Sequence, residues 1–128
     1  MKALATLLIA IGVIAGAFGA HGLKGIVPAL RLEVFRTASF YNITIATVLL
    51  VLANYSSIKT VTLRCLALGI VLFSSSLYLL VLLDIKKLGA ITPIGGVLII
   101  TSLLFASYDL FKDERFKDEK AKNETAKN

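Results

Sequence analysis

Across four long stretches of this 128-residue chain there is no aspartate, glutamate, lysine, arginine or histidine. The stretches run from Ala3 to Ala20, Thr37 to Ile58, Cys65 to Leu83 and Leu88 to Tyr108, and contain 18, 22, 19 and 21 residues. Pumps and proton-coupled transporters place ionisable groups inside their spans, where the energetic cost marks function; their absence here argues against that design. Charged residues make up only 17% of the chain against 57% hydrophobic ones, and the mean hydropathy is +0.84. An ordinary soluble domain is excluded by that balance. Cys65 is the only cysteine, so there is no intramolecular disulfide and no cysteine-based metal site. It is expected to pack as a small apolar residue at a helix end. No segment between the stretches exceeds 16 residues, which leaves no second soluble domain to hold an active site. Nucleophile–base pairs, metal clusters and phosphate loops are all missing. No catalytic, cofactor-binding or metal-ligating residue is assigned, and the chain is not expected to be an enzyme.

What is there is apolar length. A spanning helix needs roughly 20 mostly apolar residues, and barrel strands would be about 10 residues of alternating polarity. The expected fold is therefore an all-α membrane protein with four transmembrane helices in an antiparallel bundle, over residues 1–111. The short connections Lys59 to Arg64 and Asp84 to Lys87 force antiparallel neighbours. From Pro28 onward, the linker His21 to Arg36 reads as a short interfacial helix or a lead into the second span; a plain solvated loop is the other reading. The tail, Lys112 to Asn128, has almost nothing apolar after Phe116 and is expected to be disordered.

The first stretch has a rival reading as a cleaved secretory signal, since Lys2 precedes it and Ala17-Phe18-Gly19-Ala20 ends it. Its apolar run is longer than a signal core, and Ala5, Gly12, Gly16 and Gly19 recur on one helical face. A helix with such a packing stripe is expected to be kept. Gly95, Ile99, Ser102 and Ala106 form a second stripe on the fourth stretch. Gly12, Gly16, Gly19, Gly95 and Ser102 are the helix-packing candidates; whether the faces meet within one chain or between copies is open.

Lys and Arg counts set the orientation. The N-terminus, second connection and tail share one side with nine of them, against five opposite, so both termini are expected in the cytoplasm. The tail's acids nearly neutralise its bases, and no nucleic-acid partner is expected.

Milder polar groups outline a candidate pocket. Tyr41 and Thr44 lie at helical spacing with Thr37, Ser74 and Tyr78 lie one turn apart, and His21 and Thr92 lie near the ends of their stretches. Such groups equally serve as hydrogen-bonding glue between helices. His21, the only histidine, is a candidate proton carrier or a plain helix-end residue. Thr92-Pro93 with Gly95-Gly96 offers two readings: a kinked helix starting at Leu88, or a helix with Thr92 as N-cap and Pro93 at its first position. In the second, the free amides would suit an anion such as a lipid phosphate.

Four strings carry a family resemblance: GAFGAHGL from Gly16, Phe35-x-Thr37-Ala38 with Tyr41, FSSSLYLL from Phe73 and LGAITPIGG from Leu88. In their order and spacing they resemble the bacterial "domain of unknown function 423" family, also called uncharacterised protein family 0382, over roughly residues 1–108. The resemblance implies a small multi-pass protein of the bacterial cell (inner) membrane, in a family with no assigned reaction, substrate or catalytic residue. Where such sequences read Tyr-Gln-x-Tyr-His, this chain has Tyr41-Asn42-Ile43-Thr44-Ile45, and Ser75 stands where they tend to have glycine. Any family activity that used that histidine is absent here or performed differently. The expected role is a non-enzymatic membrane component that packs with membrane lipid, with itself as a homo-oligomer, or with another membrane protein. The alternative is a small carrier or channel for a neutral or weakly polar solute.

Overall fold

The computed structural model describes residues 1–125. Helices α1 (Lys2–His21), α2 (Ala29–Leu52), α3 (Thr60–Leu83) and α4 (Thr92–Thr125) run antiparallel in chain order, with a short 3₁₀ turn at Lys86–Ala90 before α4. Each is long and apolar enough to cross a membrane. Along the chain each helix packs chiefly on the next: α1 on α2, α2 on α3 and α3 on α4.

The inward residues repeat every three or four positions: Ala5, Leu8 and Gly12 on α1; Leu32, Phe35, Ser39, Asn42, Ala46 and Leu49 on α2; Gly95, Ile99, Ser102, Ala106 and Asp109 on α4. A repeat of that length keeps one face of a helix toward its neighbour. Two apolar clusters result. The larger includes Leu8, Leu49, Leu66, Ile70 and Ile99; the smaller joins Leu23, Leu32, Phe35 and Val81 toward the His21 end. In lipid, burial of apolar surface gives helices no net reason to associate, because the tails are as apolar as leucine. Shape and polar contacts must hold this bundle.

Several boundaries differ from those that apolarity suggests. Pro28 stands immediately before α2, so the linker leads straight into the second span, and Arg31, Glu33 and Arg36 lie in its first turns. The helix ends at Leu52 rather than Ile58, because the Asn54 side-chain amide donates to the Leu50 carbonyl at 2.8 Å and satisfies the last turn. At the start of α4, Pro93 lies in the first turn, where its missing donor costs nothing, and Leu88 belongs to the preceding 3₁₀ turn. The kinked reading is thereby replaced.

The largest difference is the tail. Residues 112–125, expected to be disordered, continue α4 as helix; Ala126 to Asn128 lie outside the described residues. Lys, Glu, Arg and Ala are good helix formers, and an existing spanning helix removes the cost of nucleation. The pairs Asp113–Lys117 at 2.7 Å and Lys120–Glu124 at 4.0 Å add i,i+4 support. Asp113 also raises the Lys117 ammonium above its usual pKa, by hydrogen bond and by charge. At about 1.5 Å per residue α4 is some 50 Å long, against a hydrocarbon core of ~30 Å, so it projects well beyond the bilayer.

Candidate functional site

Three polar side chains of the spans, Ser39, Asn42 and Tyr78, meet on one level of the bundle. Ser39 and Asn42 are one turn apart on the inward face of α2, and both are buried. From α3, the Tyr78 hydroxyl donates to Ser39 Oγ at 3.3 Å and accepts from Asn42 Nδ2 at 3.4 Å. Ser39 Oγ also bonds back to the Phe35 carbonyl at 3.2 Å, and the rings of Phe35 and Tyr78 lie 4.9 Å apart. Along α2 this group falls between the two apolar clusters, so it marks a polar level inside the bundle.

The glycines of α1 make room for it. A methyl group added at Gly12 would come 2.6 Å from Ile43 Cγ1 and 3.4 Å from Asn42 Cγ; at Gly19 it would come 2.8 Å from the Phe35 ring. At Gly16 the nearest atom is Ser39 Cβ at 3.7 Å. The stripe on α1 therefore faces α2 of the same chain. On the other side of the bundle Gly95 sits against backbone: an added methyl would come 2.5 Å from the Phe73 nitrogen and 3.0 Å from the Gly69 carbonyl oxygen. Gly69 returns the contact, meeting Ile99 at 3.0 Å. Both stripes are consumed within the chain.

The residues expected to line a pocket are not brought together. Tyr78 joins the polar level. Tyr41, 44% exposed, turns outward and rests its ring on Phe73 at 5.4 Å. Thr44 and His21 are also exposed. Thr92 bonds across to Ser76 at 2.8 Å, hydroxyl to hydroxyl, instead of capping α4. The amides of Ile91, Ile94 and Gly95 find backbone acceptors nearby, at Leu88 and Ile91, and Pro93 has none to offer, so none of these four positions presents a free amide to a lipid phosphate. Ser74 is buried. Its Oγ, with Asn42 Oδ1 and Ser102 Oγ, has no hydrogen-bond partner among the described residues.

Sequence reasoning missed Ser39 and Asn42. Their signal was present: Asn42 is among the most polar side chains in the four stretches, and it falls in register with Leu32, Phe35, Ala46 and Leu49. Thr37, Tyr41 and Thr44 share a helical face too, but it is the outward one.

Charged groups clamp the two ends. At the His21 end Arg31 pairs with Asp84, joining α2 to α3 where Asp84 turns the chain with φ 56°. At the other end the Asp109 carboxylate, only 8% exposed, accepts from the Lys59 backbone amide at 3.5 Å, with the Lys59 ammonium at 3.7 Å. No residue of α3 caps its own first turn; Asp109 of α4 supplies a carboxylate there, where the helix dipole favours one.

A family model described as "Protein of unknown function (DUF423)" matches residues 15–96. The UPF0382 membrane protein YwdK of Bacillus subtilis is 46% identical over 101 residues, covering 74% of this chain and 80% of the relative. The UPF0382 membrane protein SAB0533 of Staphylococcus aureus is 41% identical over 101 residues, covering 76% and 83%. That of Staphylococcus saprophyticus, SSP2132, is 42% identical, covering 76% and 84%. No solved structure matches the chain. Four apolar helices and relatives of this kind make the chain a membrane protein, and it belongs to the DUF423 family.

Proposed function

We propose that this protein is a non-enzymatic component of the bacterial cell membrane, a self-contained helical unit whose outer surface engages lipid or another membrane protein, with both termini in the cytoplasm. One observation carries the reading: the glycines of the α1 and α4 stripes pack against neighbouring helices of the same chain, and the hydroxyls of Ser39, Ser76, Tyr78 and Thr92 bond within it. The outward faces carry long apolar side chains such as Leu7, Ile14, Phe40, Ile100 and Phe105. A homo-oligomer, on this reading, would have to use those outer faces rather than Gly12, Gly16 or Gly19. In-cell photocrosslinking tests it. Probes at Ile14 and Phe105 should capture lipid or a discrete protein, while a probe at Gly16 should give intrachain products. Intermolecular capture confined to Gly16 would overturn the reading.

A second reading, a carrier or channel for a small neutral solute, is favoured by one observation only. Asn42 Oδ1 and Ser74 Oγ are buried and unpartnered among the described residues, and a buried polar atom without a partner costs about 1–3 kcal/mol. Proteoliposome uptake that is lost in Asn42→Leu would establish this reading over the first. Absence of uptake over a broad panel of neutral solutes would remove it.

A further inference from the structure

The end of the bundle that carries Lys59 holds a feature that helix packing does not use. Between the start of α3 and the flank of α4 lies a hollow of about 310 Å³, lined among others by Lys59, Tyr108, Asp109, Lys112, Asp113 and Phe116. Tyr108 is the last residue of the fourth uncharged stretch, so the hollow opens where hydrocarbon gives way to headgroups, the level at which membrane proteins concentrate amphipathic rings.

The lining carries both signs of charge in equal number. Lys112 has no ion-pair partner among the described residues. The Lys59 ammonium is 73% exposed and stands 3.7 Å from the buried Asp109 carboxylate, too far for a strong hydrogen bond. Asp113 binds Lys117 through Oδ2, which leaves Oδ1 for another donor. The hollow is thus lined by one ammonium outside any ion pair, Lys112, and one held only loosely by Asp109, Lys59, with an acceptor beside them at Asp113.

We propose that this hollow binds a phospholipid whose headgroup joins a phosphodiester to a primary ammonium, the phosphatidylethanolamine class. The Lys59 and Lys112 ammonium groups take the phosphate oxygens, and Asp113 accepts from the lipid ammonium. An anionic headgroup without the ammonium would leave the Asp113 carboxylate without a cationic donor. A trimethylammonium headgroup has no N–H to donate to Asp113. The site rests on the reading of the chain as a bilayer component that engages lipid.

The test is native mass spectrometry of the full chain in mild detergent, offered phosphatidylethanolamine, phosphatidylglycerol and phosphatidylcholine at equal mole fraction. Phosphatidylethanolamine should be retained about tenfold over the other two, the worth of one charge-assisted hydrogen bond. Lys112→Gln should lower its retention, and Asp113→Asn should erase its advantage over phosphatidylcholine, both with unchanged thermal melting of the helices. Equal retention of the three lipids, or retention at the wild-type level in either variant, overturns the proposal. Solute uptake by proteoliposomes of the same protein would overturn the functional reading while leaving a lipid preference standing; equal retention without uptake removes the site alone.

Discussion

The two glycine seams of this bundle look alike in sequence and differ in kind. Between α1 and α2 the glycines are notches that receive side chains, Ile43 at Gly12 and Phe35 at Gly19. Between α3 and α4 they let two backbones touch, with Gly95 against the Phe73 nitrogen and the Gly69 carbonyl. A side chain that meets an intruding methyl has rotamers to retreat into; a backbone in a spanning helix has none without breaking its own hydrogen bonds. The same residue type therefore sets a tolerance in one seam and a hard limit in the other.

The sharpest way to break this distinction is Gly95→Ala. Its methyl would collide with main-chain atoms, and overpacking of that sort is expected to cost about 3 kcal/mol or more, read as loss of folded protein or a large fall in melting temperature in detergent. Gly12→Ala comes second. It meets Ile43 Cγ1 at 2.6 Å, which can give way only by turning χ1 of a β-branched side chain, and the Ile43 nitrogen at a looser 3.3 Å, and is expected to cost about 1–2 kcal/mol in the same melt; a loss as large as that of Gly95→Ala would erase the contrast. Tyr78→Phe tests the polar level that spans both sides of α2. It removes the group joining Ser39 to Asn42 and should cost about 0.6–1.7 kcal/mol, and a melting temperature at the wild-type value would show that the level adds no stability. The smallest effect belongs to Gly16→Ala, whose methyl meets Ser39 only at ordinary contact distance. Because alanine favours helix over glycine by up to about 1 kcal/mol, this variant should melt at or slightly above the wild-type temperature.

Much of this architecture is legible from sequence because the bilayer demands it. Four apolar lengths imply four spans, and small residues spaced by three and four mark the faces where helices approach. What stays hidden is which face of α2 turns inward. Thr37, Tyr41 and Thr44 present as good a polar stripe as Ser39 and Asn42, and the decision lies with α1 and α3, whose Gly12, Gly16 and Tyr78 complement only one of them. The end of α2 at Leu52 is hidden as well, since it depends on where the Asn54 amide folds back. The helical tail escapes a reading based on apolar content, because its order comes from propensity and from continuity with a span. Asp109, just past the fourth apolar stretch, reads as a solvated edge residue; its neighbour Lys59 lies 50 positions earlier in the chain.

That separation has a consequence for biogenesis. The first turn of α3 leaves the ribosome with no side chain of its own to meet its amides, and its carboxylate arrives only after the whole of α3 and the apolar part of α4 have been made. The contact can form only when α4 runs back to the membrane face from which α3 departed. An inverted or uninserted fourth helix would leave the Lys59 amide, just before α3, without its Asp109 acceptor, so this one carboxylate reports to the third helix that the fourth has crossed.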